Sequence, residues 1–258
     1  MVASNMASTS TFEERITHNI KRLVTRLSVS PFRIIAYILH ATGLERIYKP
    51  HFTRYSALLD LTDDVVAKLP KHSMSMTGAR MDLMNLIFVG SEVDIKLAFK
   101  AAGWNGAHPA SPIHLLYGFV STIIHRTYYS GPFSPQYVNI GLQDMSFQKL
   151  THTKSFSQRH HLRIFRTGVR LPGGKRVWVG SASFDVRLQL HFRPPFIDHA
   201  TNPDLDRERE YVVRSLEQVG VARLKSVTMN EAISSDRPYH NGYGAKYFTD
   251  GQAVVVQV

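Results

Sequence analysis

Apolar residues recur with two different periods along this chain, and the change between them divides it. Ile16, Ile20, Leu23, Val24 and Leu27 return at helical spacing, with Lys21, Arg22 and Arg26 opposite them. That spacing predicts a basic amphipathic helix. Ser30 followed by Pro31 marks a second helix start, and Gly43 offers the stop for "FRIIAYILHAT". Such a pair of helices either lies on a membrane surface or packs against the main body of the protein. The first twelve residues, "MVASNMASTSTF", are small and polar and are expected to be disordered.

After the connector "KHSMSMTGARMD" the pattern changes. "NLIFVG" at 85–90 reads as a short buried strand, and Ser91, with Asp94 three residues on, caps a helix that ends near Gly103. "PIHLLYGFVSTIIHRTYY" at 112–129 predicts a second, largely buried helix. From about 137 the period moves towards two. Strands are expected near 144–150, 159–171, 176–192 and 221–229, and within "YFTDGQAVVVQV", where Asp250-Gly251 signals a tight turn. Leu205, Tyr211, Val212, Leu216 and Val219 predict a helix over 205–219. The reading is an α+β domain over 85–258, an antiparallel sheet with packed helices, preceded by a helical extension over 1–84.

The hairpin at 159–193 carries the most information. Trp178, Gly180, Ala182, Phe184, Val186, Leu188, Leu190 and Phe192 are even; Ser181, Ser183, Asp185, Arg187, Gln189, His191 and Arg193 are odd. The preceding strand keeps the parity, with Leu162 and Ile164 even and His161 and Arg163 odd. One face therefore meets the core and the other a polar setting. Directly opposed residues point the same way, so the connecting loop must have an odd number of residues. A three-residue "PGG" loop sets Asp185 against His161, and a five-residue "PGGKR" loop sets it against Arg163.

Charge sharpens this picture. The net charge is +11, and residues 151–193 hold nine basic side chains and one acid. Such an excess attracts polyanions, whether anionic lipid or phosphate-bearing ligands. Nucleic acid is less favoured, because Trp178 and Phe184 fall on the core face rather than the basic one. There is no cysteine, which excludes disulfides, thiolate metal sites and cysteine catalysis. No apolar run reaches the length of a membrane span and no signal peptide is seen, which places the protein in the cytoplasm or peripheral to the inner membrane.

The stretch "FIDHATNPDLDRERE" at 196–210 brings His199, Asp204, Asp206 and Glu208 to the start of a helix. Carboxylates there cap free N–H groups and complement the helix dipole. The same residue types also suit a divalent metal held by His161, Asp185, His199 and Asp206, or metal-free acid–base chemistry that adds Glu208. Arg163, Arg187, His191 and Arg209 are the candidate anion-binding groups. "GSASF" at 180–184 lacks the final glycine of a nucleophile elbow, and neither a dinucleotide-binding nor a Walker sequence is present.

Taken together, "NLIFVGSEVDIKLAFKAAGW", "FSPQYVNIGLQDMSFQK", "RHHLRIFRT", "VWVGSASFD", "DHATNPDLDREREYVV" and "YFTDG" resemble, in this order, the LssY C-terminal domain, a bacterial family. The resemblance covers about 85–258. The family pattern T-H-H-I-D-P-D-I-D-A-E-R-D is matched at His199, Pro203, Asp204, Asp206, Glu208 and Arg209. Asp198, Ala200 and Asn202 depart from it. The resemblance implies a setting near the cell envelope, since the domain is often joined to membrane segments. The expected function is recognition of anionic, phosphate-bearing groups, with a metal-dependent phosphoester hydrolase as the alternative.

Overall fold

The computed structural model describes residues 34–35, 38, 61–108, 112–124, 127–139, 141–151, 158–192 and 195–258. Of the two amphipathic N-terminal helices, only Ile34, Ile35 and Ile38 fall within these residues; all three are helical and exposed. From residue 61 the order is helix α1 (Asp63–Lys68), strands β1 (His72–Met74), β2 (Arg80–Leu83) and β3 (Leu86–Gly90), and helix α2 (Glu92–Ala101). Strand β4 (Asn105–Gly106) and helix α3 (Pro112–Ile123) precede β5 (Tyr137–Val138), β6 (Gly141–Leu142) and β7 (Met145–Leu150). The long hairpin β8 (Arg159–Arg170) and β9 (Arg176–Phe192) follows, then β10 (Pro195–Thr201) and helix α4 (Leu205–Glu217). Strands β11 (Ala222–Thr228), β12 (Tyr239–His240), β13 (Lys246–Tyr247) and β14 (Gln252–Gln257) complete the chain.

The fold is α+β. Its main sheet runs β11-β14-β3-β9-β8-β7-β4, with β10 paired to the far half of β9. Neighbours are antiparallel except β14 and β3, which run parallel. Strand β3 is buried on both faces. Leu86 and Phe88 join Leu162, Ile164 and Trp178 in a core covered by Ile95 and Phe99 of α2 and Val212, Val213 and Leu216 of α4. Ile87 and Val89 point the other way, into a second core with Val66 and Leu69, Phe165, Val177, Val179 and Val255. Gly180 is needed here, because a Cβ on it would sit 2.8 Å from the Phe88 ring.

The predicted ends hold. The Ser91 side chain accepts from the Asp94 N–H at 3.1 Å, and Gly103 takes a positive φ of 78° just past α2. Strand β10 is not predicted by the pattern: "PFIDHAT" mixes Asp and His with apolar residues, opens on Pro195 and follows Pro194. Its pairing with the overhanging end of β9 makes it a strand. Helix α3 differs from expectation in its exposure. Ile113, Leu116, Tyr117, Val120 and Ile124 stand 40–60 % exposed, so its apolar stripe faces outwards rather than into a core. Among the described residues no helix is long and apolar enough to cross a membrane.

The hairpin keeps its parity and changes its register. Leu171 and Lys175 close around Pro172, Gly173 and Gly174, a three-residue loop whose glycines take φ of 77° and 76°. Near the turn Arg170 faces Arg176, but beyond it Arg166 faces Trp178. Three residues of β8, Thr167, Gly168 and Val169, thus oppose Val177 alone. The Thr167 hydroxyl stabilises this bulge by donating to the Val177 carbonyl at 2.6 Å and accepting from the Val169 N–H at 3.2 Å. The shift is two residues, so no side chain changes face. Asp185 consequently faces Arg159 instead of His161 or Arg163.

Candidate active site

Away from the turn, over 159–163 and 181–185, the odd face of the hairpin is polar and buried. Arg159, His161, Arg163, Ser181, Ser183 and Asp185 are each less than 8 % exposed. The small sheet β2-β1-β5-β6 supplies partners for this layer. Arg163 donates to the Asp82 carboxylate at 2.8 Å, and Gln136 donates to the same oxygen at 2.8 Å. Ser73 donates to the Gln136 side-chain carbonyl at 2.5 Å. The Phe133 ring lies between the guanidinium groups of Arg159 and Arg163, at 4.8 and 4.9 Å. Buried charges survive only when paired, and Arg159 and Arg163 each meet a carboxylate directly.

Asp185 is the centre of the layer. Arg159 Nε donates to its Oδ2 at 2.9 Å, while Arg159 Nη1 donates to Gln148 Oε1 at 2.8 Å. His161 Nδ1 approaches Asp185 Oδ1 at 3.2 Å, and His199 Nδ1 lies 3.9 Å from Oδ2. Burial alone would raise the Asp185 pKa; His161, Arg159 and His199 outweigh it and hold the carboxyl well below its usual range. The 3.2 Å contact is within ion-pair range but is not aligned as a hydrogen bond.

The other nitrogen of His161 meets a hydroxyl. Ser183 Oγ lies 2.6 Å from His161 Nε2. Register explains the meeting, since Ser183 is the direct cross-strand partner of His161 and Asp185 follows two residues later on the same face. Ser183 also borders a cavity of about 20 Å³, room for roughly one water. Its other walls include Asp82, Thr201, Asn241, Lys246 and Tyr247. Burial, with Tyr239 alongside, pushes the Tyr247 phenol up to about 12, so it stays protonated at neutral pH.

The acidic stretch at 196–210 divides into separate roles. Asp204 caps α4, accepting from the Arg207 N–H at 3.0 Å. Asp206 accepts from the Thr249 hydroxyl and the Asp250 N–H, both at 2.7 Å, and pairs with Arg209 at 3.0 Å. Arg209 also grips Asp250 and the Gln252 carbonyl, so these two residues tie α4 to the turn before β14. Glu208 is buried against His160 Nδ1, 2.9 and 3.0 Å from its two oxygens, and His160 stacks on Tyr211 at 3.7 Å. Burial raises the Glu208 pKa, and His160 and His161 offset this only in part.

His199 therefore joins His161 and Asp185, while Asp206 is committed elsewhere. The four-ligand metal set is not assembled, and no group of three or more His, Asp or Glu side chains placed to hold a metal occurs among the described residues. Of the expected anion-binding groups, Arg163 and Arg209 are buried in ion pairs and Arg187 is exposed. His191 lies in β9 opposite Phe196. Ser183 and Arg159 are the residues that sequence reasoning misses. Parity puts both on the polar face, but the bulge decides which cross-strand partners they meet.

No curated protein and no solved structure matches this chain. The family model described as LssY C-terminus matches residues 66–253, running from within α1 through the small sheet that covers the polar layer and the whole hairpin. With that match spanning every element of the site, the chain belongs to the LssY C-terminal domain family.

Proposed function

We propose that this domain is a hydrolase that cleaves a carboxylic ester through a covalent serine intermediate. One observation carries the reading: Ser183 Oγ lies 2.6 Å from His161 Nε2, while the Asp185 carboxylate sits beside the opposite ring nitrogen. A serine hydroxyl becomes nucleophilic when an imidazole takes its proton, and a buried anion behind the imidazole stabilises the cation that forms. Ser183 Oγ would attack the carbonyl carbon as its proton passes to His161 Nε2. The same proton then goes to the departing alkoxide as the ester C–O bond breaks. Water, deprotonated by His161, cleaves the acyl-serine, releasing the acid and restoring the hydroxyl. Catalytic hydrogen bonds are often loose before substrate binds, which accommodates the unaligned 3.2 Å His161–Asp185 contact.

Substrate needs more room than one water occupies. The segment from Asn241 to Tyr247 closes the cavity over Ser183. It is latched by Gly242, whose N–H donates to the Arg80 carbonyl at 2.6 Å; a Cβ there would meet Ala79 Cβ at 2.5 Å. Entry on this reading requires that segment to lift. A fluorophosphonate probe tests the proposal, with labelling located by peptide mass spectrometry. Labelling of Ser183 that disappears in Ser183→Ala and His161→Gln, but persists in Ser181→Ala, supports it. A folded wild-type protein that takes no label overturns it.

A peripheral membrane setting is favoured by a different observation, the outward apolar stripe of α3. Cosedimentation with vesicles checks it: Leu116→Asp should weaken binding, and equal binding by both proteins counts against this setting. Arg163 and Arg209 are taken up in ion pairs, and the phosphate-binding groups proposed below lie on another surface.

A further inference from the structure

The outer face of α4 carries a second cavity, of about 410 Å³, within the size range of small-molecule sites. Lys149, Arg207, Tyr211, Arg214, Ser215 and Glu210 line it. We infer that this groove binds a phosphate monoester, with Arg207 and Arg214 as its clamps. Residues 207, 211 and 214 recur at helical spacing and so share one face. Arg207 and Arg214 are two turns apart, about 10 Å along the axis, with Tyr211 between them. Both arginines are exposed, and among the described residues neither has a carboxylate partner. That separates them from Arg163 and Arg209, which are buried in ion pairs.

The groove is also electrostatically open. Its one carboxylate, Glu210, is held by Arg223 at 2.9 Å, and Arg223 is held in turn by Glu217 at 2.8 Å. Lys149 donates one hydrogen to the Ala102 carbonyl at 2.8 Å and has two further donors. Its ammonium lies 5.9 Å from the centre of the Tyr211 ring. Three cations around one acid leave the groove a net charge of about +2, which suits a ligand of charge near −2, as a phosphate monoester has at neutral pH. Arg matches phosphate geometry with its planar fork, and the Tyr211 ring offers the ligand's carbon portion an apolar wall.

The site is independent of the serine relay, so the two proposals fail separately. Isothermal titration with glycerol phosphate is the first arm, and flotation with phosphatidylcholine vesicles with and without phosphatidic acid is the second. Saturable binding in either arm that weakens roughly tenfold in Arg207→Gln and again in Arg214→Gln supports the site. The arm that responds tells a soluble phosphate from a lipid headgroup. Arg223→Gln should also weaken binding, because it releases Glu210 into the groove; a mere patch of surface charge would lose no more here than on losing any exposed arginine. Binding in neither arm, or binding unchanged in Arg207→Gln and Arg214→Gln proteins of native circular dichroism, overturns the proposal. Equal binding to phosphatidylserine vesicles overturns the preference for a monoester.

Discussion

Arginine appears in this domain in two opposite settings. Arg159 and Arg163 lie beneath the small sheet, stacked on Phe133 and paired with Asp185 and Asp82. Arg207 and Arg214 stand in water along α4 with no acid among the described residues to hold them. The side chain is the same, but the first pair belongs to the fold and the second is available to a ligand. Net charge does not distinguish these cases; the location of the partner carboxylates does. Within the basic hairpin Arg159 is offset by Asp185 on the same face, and Arg163 by an acid over seventy residues away, Asp82.

The strongest way to break this comparison is to remove a buried anion. Asp185→Ala leaves Arg159 and His161 without a counter-charge and should cost about 3–5 kcal/mol in urea unfolding. A cost below about 1 kcal/mol would mean that the layer admits water. Asp82→Ala should be comparably harmful, whereas Asp82→Leu combined with Arg163→Met should recover most of the loss, since a matched apolar pair carries no orphaned charge.

Acid titration sharpens the contrast within the site. Asp185 is held low, so its contribution is fully present above about 3.8, its unfolded value, and is lost as pH falls further. Glu208 is held high by burial, so its sign is reversed: stability falls as pH rises from about 4.5 through its raised value. Stability should therefore rise slightly from neutral pH towards 4.5 and fall below 3.8. Glu208→Gln should remove the first limb and leave the second.

The smaller effects lie at the surface. Asp204→Ala removes the cap of α4 and should cost about 1 kcal/mol. Arg207→Gln and Arg214→Gln should change stability by no more than about 0.5 kcal/mol while reducing ligand binding. A larger loss would show that these arginines belong with the structural pair.

The sequence carried the alternation that identifies β8 and β9, the caps at Ser91 and Asp204 and the family blocks, because each is written in neighbouring residues. It also placed His161, Asp185 and His199 together. What it could not carry were partners chosen over long distance. Asp82 meets Arg163 only through the docking of the small sheet. Strand β10 exists because β9 extends beyond β3, leaving an edge to pair. Helix α3 has an apolar stripe that reads as core from composition, yet nothing in that pattern requires a surface to cover it. The acids at 204–208 lie close in sequence and still diverge, since successive helical positions point about 100° apart.

The bulge at Thr167–Val169 gives the site an evolutionary dependence. At the present chain length, regular pairing from Arg170 and Arg176 onwards would set Ser183 against Arg163 and His161 against Asp185, with every side chain still on its present face. The bulge absorbs the two extra residues of β8 and so keeps Ser183 opposite His161. Deleting Thr167 and Gly168 together would leave Val169 alone opposite Val177 and the same pairing beyond it, so the encounter survives their joint loss. Within a lineage, then, the bulge and its two extra residues form one heritable character, gained or lost as a unit while Ser183 and His161 stay in register.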